Sequence, residues 1–166
     1  MTAYPWLPEP LKFCDYDIDQ ERITEVAYAI FKNDFIDSCP TCSGFSVKSV
    51  RGKMEGGKEE TFWHIIKEED KHQKGRIFKT DRCERINWPR PIIEGLSEGR
   101  VICWKKLHHE KGKKEWRWLI ALDDFSYLVV LAVRKGYFLL RTAYPVTRTH
   151  TLIALVEECR NSDRCP

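Results

Sequence analysis

Tyr127-Leu-Val-Val-Leu-Ala-Val-Arg134-Lys-Gly136-Tyr137-Phe-Leu-Leu-Arg-Thr-Ala-Tyr144 decides the fold, because two apolar and aromatic runs flank Lys135-Gly136. A glycine-bearing dipeptide between such runs is a β-hairpin signal. A two-residue turn sets Arg134 opposite Tyr137, and the register that follows pairs Val129 with Thr142 and Tyr127 with Tyr144. Alternation then puts Phe138, Leu140, Thr142 and Tyr144 on one face and Leu139 and Arg141 on the other.

Working upstream, Val101 to Leu107 and Glu115 to Leu122 form a second hairpin across a polar, lysine-rich loop that contains His108 and His109. Downstream, Pro145 ends the last strand. Leu152, Ile153, Leu155, Val156 and Cys159 predict a final helix that starts near Thr147 to Thr149, with His150 in its first turn. Near the N-terminus, Ile23, Val26, Ala27, Ile30, Phe31 and Phe35 recur at helical spacing behind Asp19 as cap, and this helix ends near Asp37. Phe45 to Arg51 alternates like a strand, and Phe62 to Ile66 reads as a short strand or buried segment. Asp81 and Glu84 resemble a capping box, with Pro89 stopping a short helix at Trp88. Arg82 and Arg85 then share a face. Pro5, Pro8 and Pro10 keep residues 1–18 as an extended arm. The sum is one α+β domain over residues 1–166: an N-terminal helix, a mainly antiparallel four-stranded sheet and a C-terminal helix.

At 166 residues, with 42% hydrophobic and 12% aromatic residues, the chain is long and apolar enough to bury its own core. A formal charge of +3 is too small to demand an acidic partner. No run has the length to span a bilayer and no export signal opens the chain, so a cytoplasmic protein with seven reduced cysteines is expected. Cys39-Pro-Thr-Cys42 has the spacing of half a zinc site, which Cys14, Cys83 or His72 would have to complete; two structural cysteines are the default. No metal site or cofactor is expected.

The chemistry-bearing residues are His64, Arg82, Arg85, Thr142, Tyr144 and His150, with Lys67, Arg90, Arg141 and Arg148 as further phosphate contacts. Metal-free RNA cleavage needs a base for the 2′-hydroxyl, an acid for the leaving oxygen and cations for the phosphorane. His64 and His150 supply imidazoles, Arg82, Arg85 and Lys67 supply cations, and Thr142 and Tyr144 supply hydroxyls. Each also has a plain structural reading. His64 beside Trp63 and Ile65 fits a hydrogen-bonded core histidine, and His150 an exposed first-turn residue. Arg82 and Arg85 fit pairing with Glu84 or Glu94, Thr142 an ordinary strand position, and Tyr144 a rim aromatic.

Phe62-Trp-His-Ile-Ile, Arg82-Cys-Glu-Arg-Ile-Asn-Trp-Pro-Arg-Pro-Ile-Ile-Glu94, Tyr127-Leu-Val-Val-Leu and Tyr137-Phe-Leu-Leu-Arg-Thr-Ala-Tyr144 together resemble phage-associated proteins of the barnase, EndoU, colicin and RelE-like nuclease superfamily. The resemblance covers roughly residues 60–150. It implies an active site on the face of an antiparallel sheet, RNA such as tRNA as substrate, and a toxin-like role with a cognate inhibitor protein. His64, Arg82 or Arg85, and Thr142 with Tyr144 are the matching positions, with His150 as a further candidate. The alternatives are an inactive module on the same fold that binds RNA or a protein, and a zinc-stabilised interaction domain.

Overall fold

A computed structural model describes residues 3–16, 19–50, 52, 54–72 and 74–166 of the chain. After a 3-10 turn at Phe13–Tyr16, helix α1 spans Gln20–Phe35. Asp19 caps α1 as its spacing predicts, accepting from the Glu21 and Arg22 amides, and Ile23, Ala27, Phe31 and Phe35 form its buried stripe. Strands β1 (Thr41–Cys42), β2 (Phe45–Ser49), β3 (Met54–Glu55) and β4 (Lys58–Glu59) follow. Next come α2 (Glu60–Ile66), β5 (Lys67–Glu69), β6 (Arg76–Phe78), α3 (Thr80–Glu84) and α4 (Pro89–Glu94). The chain closes with β7 (Ile102–Glu110), β8 (Lys113–Ala121), β9 (Tyr127–Arg134), β10 (Tyr137–Pro145) and α5 (Thr149–Arg160).

The α+β class and the mainly antiparallel sheet stand, but the main sheet has six strands in the order β1-β2-β10-β9-β8-β7. The two strands beyond the expected four come from the N-terminal half: β2 docks parallel to β10, and β1 pairs with β2. A pairing so distant in sequence leaves no local turn signal. The sheet's two faces carry separate cores. Helices α1 to α4 bury Phe31, Phe62, Ile65, Ile92 and Ile93 against Ile120, Val129, Leu131 and Leu140. On the opposite face, Leu155 and Cys159 of α5 pack on Trp104, Leu119, Ala121, Leu128 and Val130. Residues alternate between these cores along the central strands, which is why β9 is apolar from Tyr127 to Val133.

Several local expectations are corrected. Residues 62–66 are helical, since Phe62, Ile65 and Ile66 at three- and four-residue steps put one stripe into the core. Asp81 lies inside the first turn of α3 rather than at its cap, and Pro89 opens α4 at its first position instead of ending a helix at Trp88. The β7–β8 hairpin runs to a tight Lys111-Gly112 turn in which both residues have positive φ (48° and 75°). Such a turn matches the twist of paired strands, so His108 and His109 belong to β7 instead of a loop.

In the last hairpin Arg134 does pair with Tyr137 and Leu131 with Leu140, but the register then shifts and Thr142 pairs with Val130 and Tyr144 with Leu128. Arg141 is the extra residue of a β-bulge. In consequence Ala143 joins Phe138 and Leu140 in the first core, while Tyr144 packs against the second.

The cysteines also depart from the all-thiol expectation. Residues after α5 return along the outer edge of β7: Lys105 N donates to Asp163 O at 2.9 Å and Cys165 N to Cys103 O at 3.0 Å. That pairing brings two residues 62 positions apart to a Cα separation of 5.3 Å, and Cys103 and Cys165 form a disulfide.

Candidate functional site

Helix α5 covers part of its face of the sheet. Its Glu158 marks the limit, accepting from Trp104 Nε1 at 2.9 Å and Lys106 Nζ at 2.7 Å. Beyond Lys106, alternation turns His108 on β7 and Glu115 and Arg117 on β8 toward the uncovered part. The opposite wall comes from α2 and α3. Because β2 pairs with β10 only as far as Leu140, the later residues of β10 have those helices as neighbours. There Thr142 Oγ1 donates to the His64 carbonyl at 3.2 Å, and the Arg82 guanidinium stacks 4.9 Å from the Tyr144 ring centre.

Between the walls lies an open cavity of about 1260 Å³, lined by nine lysines and arginines against four glutamates. Within its lining Glu115 accepts from three arginines: Arg117 Nε on one oxygen at 2.8 Å, and Arg134 and Arg141 on the other at 2.7 and 2.5 Å. Burial alone would raise this carboxyl, but the hydrogen bonds from Arg141, Arg134 and Arg117 outweigh it and hold it down to about 2. One negative charge thus holds three positive ones in place, and the cluster keeps an excess of two. Arg141 keeps the face that alternation gives it, shared with Glu115, and the bulge brings Thr142 and Tyr144 to that same face, beside α2 and α3.

His64 lines the cavity with a partly exposed side chain, its Nε2 3.4 Å from the Glu60 carboxylate. Burial and the nearby Arg76 charge lower its pKa, against a weaker upward pull from Glu60. Its imidazole is therefore neutral at pH 7. Arg82 uses NH1 for the carbonyls of His64 and Lys67, at 3.4 and 3.1 Å, so it clamps the end of α2 as well as facing the cavity. Lys67 sits 4.4 Å over the Trp63 ring. Burial raises the Tyr144 hydroxyl, which keeps its proton.

The structure thus gathers His64, Lys67, Arg82, Arg141, Thr142 and Tyr144 around one cavity. The other candidates lie elsewhere. Arg85, just after the end of α3, donates to Asp81 O at 3.0 Å, pairs with Glu84 at 3.9 Å and stacks on Trp88. Arg90 joins α4 to the end of α1 through Asp34 O, Ser38 Oγ and Glu94. His150 is exposed at the start of α5, outside the cavity lining. Arg148 reaches Glu68 at 3.5 Å and lines a smaller neighbouring hollow.

Sequence reasoning did not assign Glu115, Arg117 or Arg134 to the site, and it placed His108 in a solvated loop. Their signal was available in the strand alternation, because Glu115 and Arg117 continue the Leu119 and Ala121 face with charges where a core would want apolar residues.

Cys42 is a core residue of β1, and burial pushes its thiol up to about 11, an environment that disfavours the thiolate a zinc ion needs. Cys83 is equally buried, His72 is exposed, and the Cys14 side chain lies outside the described residues. Among the described residues no three His, Cys, Asp or Glu side chains are grouped to hold a metal, and no helix is long and apolar enough to cross a membrane. Comparison of the chain with protein-family models, curated protein sequences and solved structures found no match. The chemistry of the site rests on its own geometry.

Proposed function

We propose that the open sheet face binds RNA and cleaves it without a metal, by attack of a 2′-hydroxyl on the adjacent phosphate. The observation that carries this is the convergence of a neutral His64, the Tyr144 hydroxyl and an arginine-rich wall on one cavity. In this mechanism the carboxylate of Glu60 keeps a proton on His64 Nε2, which leaves Nδ1 to accept the 2′-hydroxyl proton. The protonated Tyr144 hydroxyl donates to the leaving 5′-oxygen. Arg82 and Lys67 stabilise the phosphorane charge, the task metal ions perform elsewhere. Thr142 positions His64 through its carbonyl rather than touching substrate. A place in the nuclease superfamily named above, a toxin-like role and a cognate inhibitor belong to the same proposal. So does a cytoplasmic site of action, where the reducing pool would oppose the Cys103–Cys165 bond.

A second reading has its own support. Arg82 NH1 and the Thr142 hydroxyl are both committed to backbone carbonyls, as expected of a site kept for binding alone. Digestion of total RNA in excess EDTA, with analysis of fragment ends, separates the two. Fragments ending in cyclic phosphate or 3′-phosphate support cleavage, whereas salt-sensitive RNA binding without turnover supports the module.

A further inference from the structure

We infer that Arg117, Arg134 and Arg141 form a second phosphate subsite, so the ligand is an RNA chain that engages this cluster and the His64 end of the cavity together. The inference rests on RNA as the ligand of the open face and adds a length requirement to it. Three guanidiniums share one carboxylate, and among the described residues no other carboxylate pairs with them. Their unmatched charge calls for an anion. Among the described residues Arg141 Nε is buried without a hydrogen-bond partner, and the accessible part of its side chain lines the cavity. Each arginine uses its shortest contact on Glu115 and retains further N–H donors in the fixed fork that suits phosphate oxygens.

The two ends hold their cations on separate carboxylates. Arg82 stacks on Tyr144 and lies 4.0 Å from Glu68, whereas Arg117, Arg134 and Arg141 are gathered on Glu115. A mononucleotide fills one end, and a chain with several phosphates fills both. In this arrangement Glu115 is a positioning residue: it holds the guanidiniums apart and aimed before the ligand arrives.

The test uses 2′-O-methyl oligouridylates of two and six residues, which lack the attacking hydroxyl and so report binding alone, titrated by fluorescence anisotropy over a range of salt. The six-mer should show a log K against log salt slope steeper than the two-mer's by about 0.7 or more, the value for one further phosphate contact on a single strand. Arg134→Gln and Arg117→Gln should each flatten the six-mer slope by about 0.7, while Arg160→Gln, an equal charge loss on α5, should leave it. Equal slopes for the two lengths in the wild-type protein would overturn the subsite whether or not the variants fold. So would a six-mer slope unmoved in both folded variants, or equal competition by polyglutamate. A six-mer that binds as described, with its unmodified counterpart never cut, would remove the nuclease and keep the subsite.

Discussion

The Thr142 hydroxyl donates to the backbone carbonyl of His64 at 3.2 Å, across 78 residues of sequence. This bond and the Arg82 bond to the same carbonyl fasten the end of α2 to the bulged part of β10. Replacing Thr142 with Val removes the donor and keeps the shape. The account expects a loss of about 1 kcal/mol in stability, with Thr142→Ser restoring most of it. Denaturant titration of the three proteins checks this, and a Val variant as stable as wild type would mean that the bond holds nothing.

Glu115 links the arginine cluster to pH. Folding depresses its carboxyl from 4.5 to about 2, so the stabilisation is complete above about pH 4.5 and is lost as the pH falls toward 2. The arginines are partly solvated, which reduces the contribution to an order of 2–3 kcal/mol. Urea unfolding between pH 2 and 6 should show this acid limb in the wild-type protein and a shallower one in Glu115→Gln. Parallel curves would contradict the charge pairing.

The Cys103–Cys165 bond ties the last residues to the outer edge of β7. Reduction, or Cys165→Ser, should cost about 2–4 kcal/mol and speed hydrogen exchange at the Lys105 amide, which donates to Asp163 O. A thermal midpoint indifferent to reductant would show that edge pairing alone holds the segment.

The Tyr127 hydroxyl is fully buried and has no hydrogen-bond partner among the described residues. Tyr127→Phe should therefore be neutral or raise stability by about 1 kcal/mol, because it removes a desolvated polar group and preserves the ring contact with Trp88. A clear destabilisation would point to a partner, such as a buried water.

What could be read from residues was whatever is local. Asp19 and the apolar stripe behind it gave α1, Lys135-Gly136 gave the last hairpin, and the pattern after Pro145 gave α5. What escaped was set by distant partners. The parallel docking of β2 on β10 and the return of Cys165 to Cys103 have no nearby sequence cue. The bulge at Arg141 was hidden because an alternating run is compatible with an unbroken ladder, so Thr142 and Tyr144 were assigned to the wrong face. Of the candidate site, His64, Arg82 and Thr142 could be chosen as residue types. Glu115 and its three arginines come together only once β8, β9 and β10 are laid side by side.

The central claim is that His64 acts on RNA in this cavity. The direct measurement is the single-turnover rate of RNA cleavage in excess EDTA by the wild-type protein and by His64→Ala, across pH 5 to 8. The account predicts chelator-resistant cleavage whose acid limb lies below pH 6.5, because burial lowers the imidazole pKa, and a loss of roughly a hundredfold or more in the variant. Absence of cleavage by folded wild-type protein over a range of RNAs, or a rate that His64→Ala leaves intact, would contradict it.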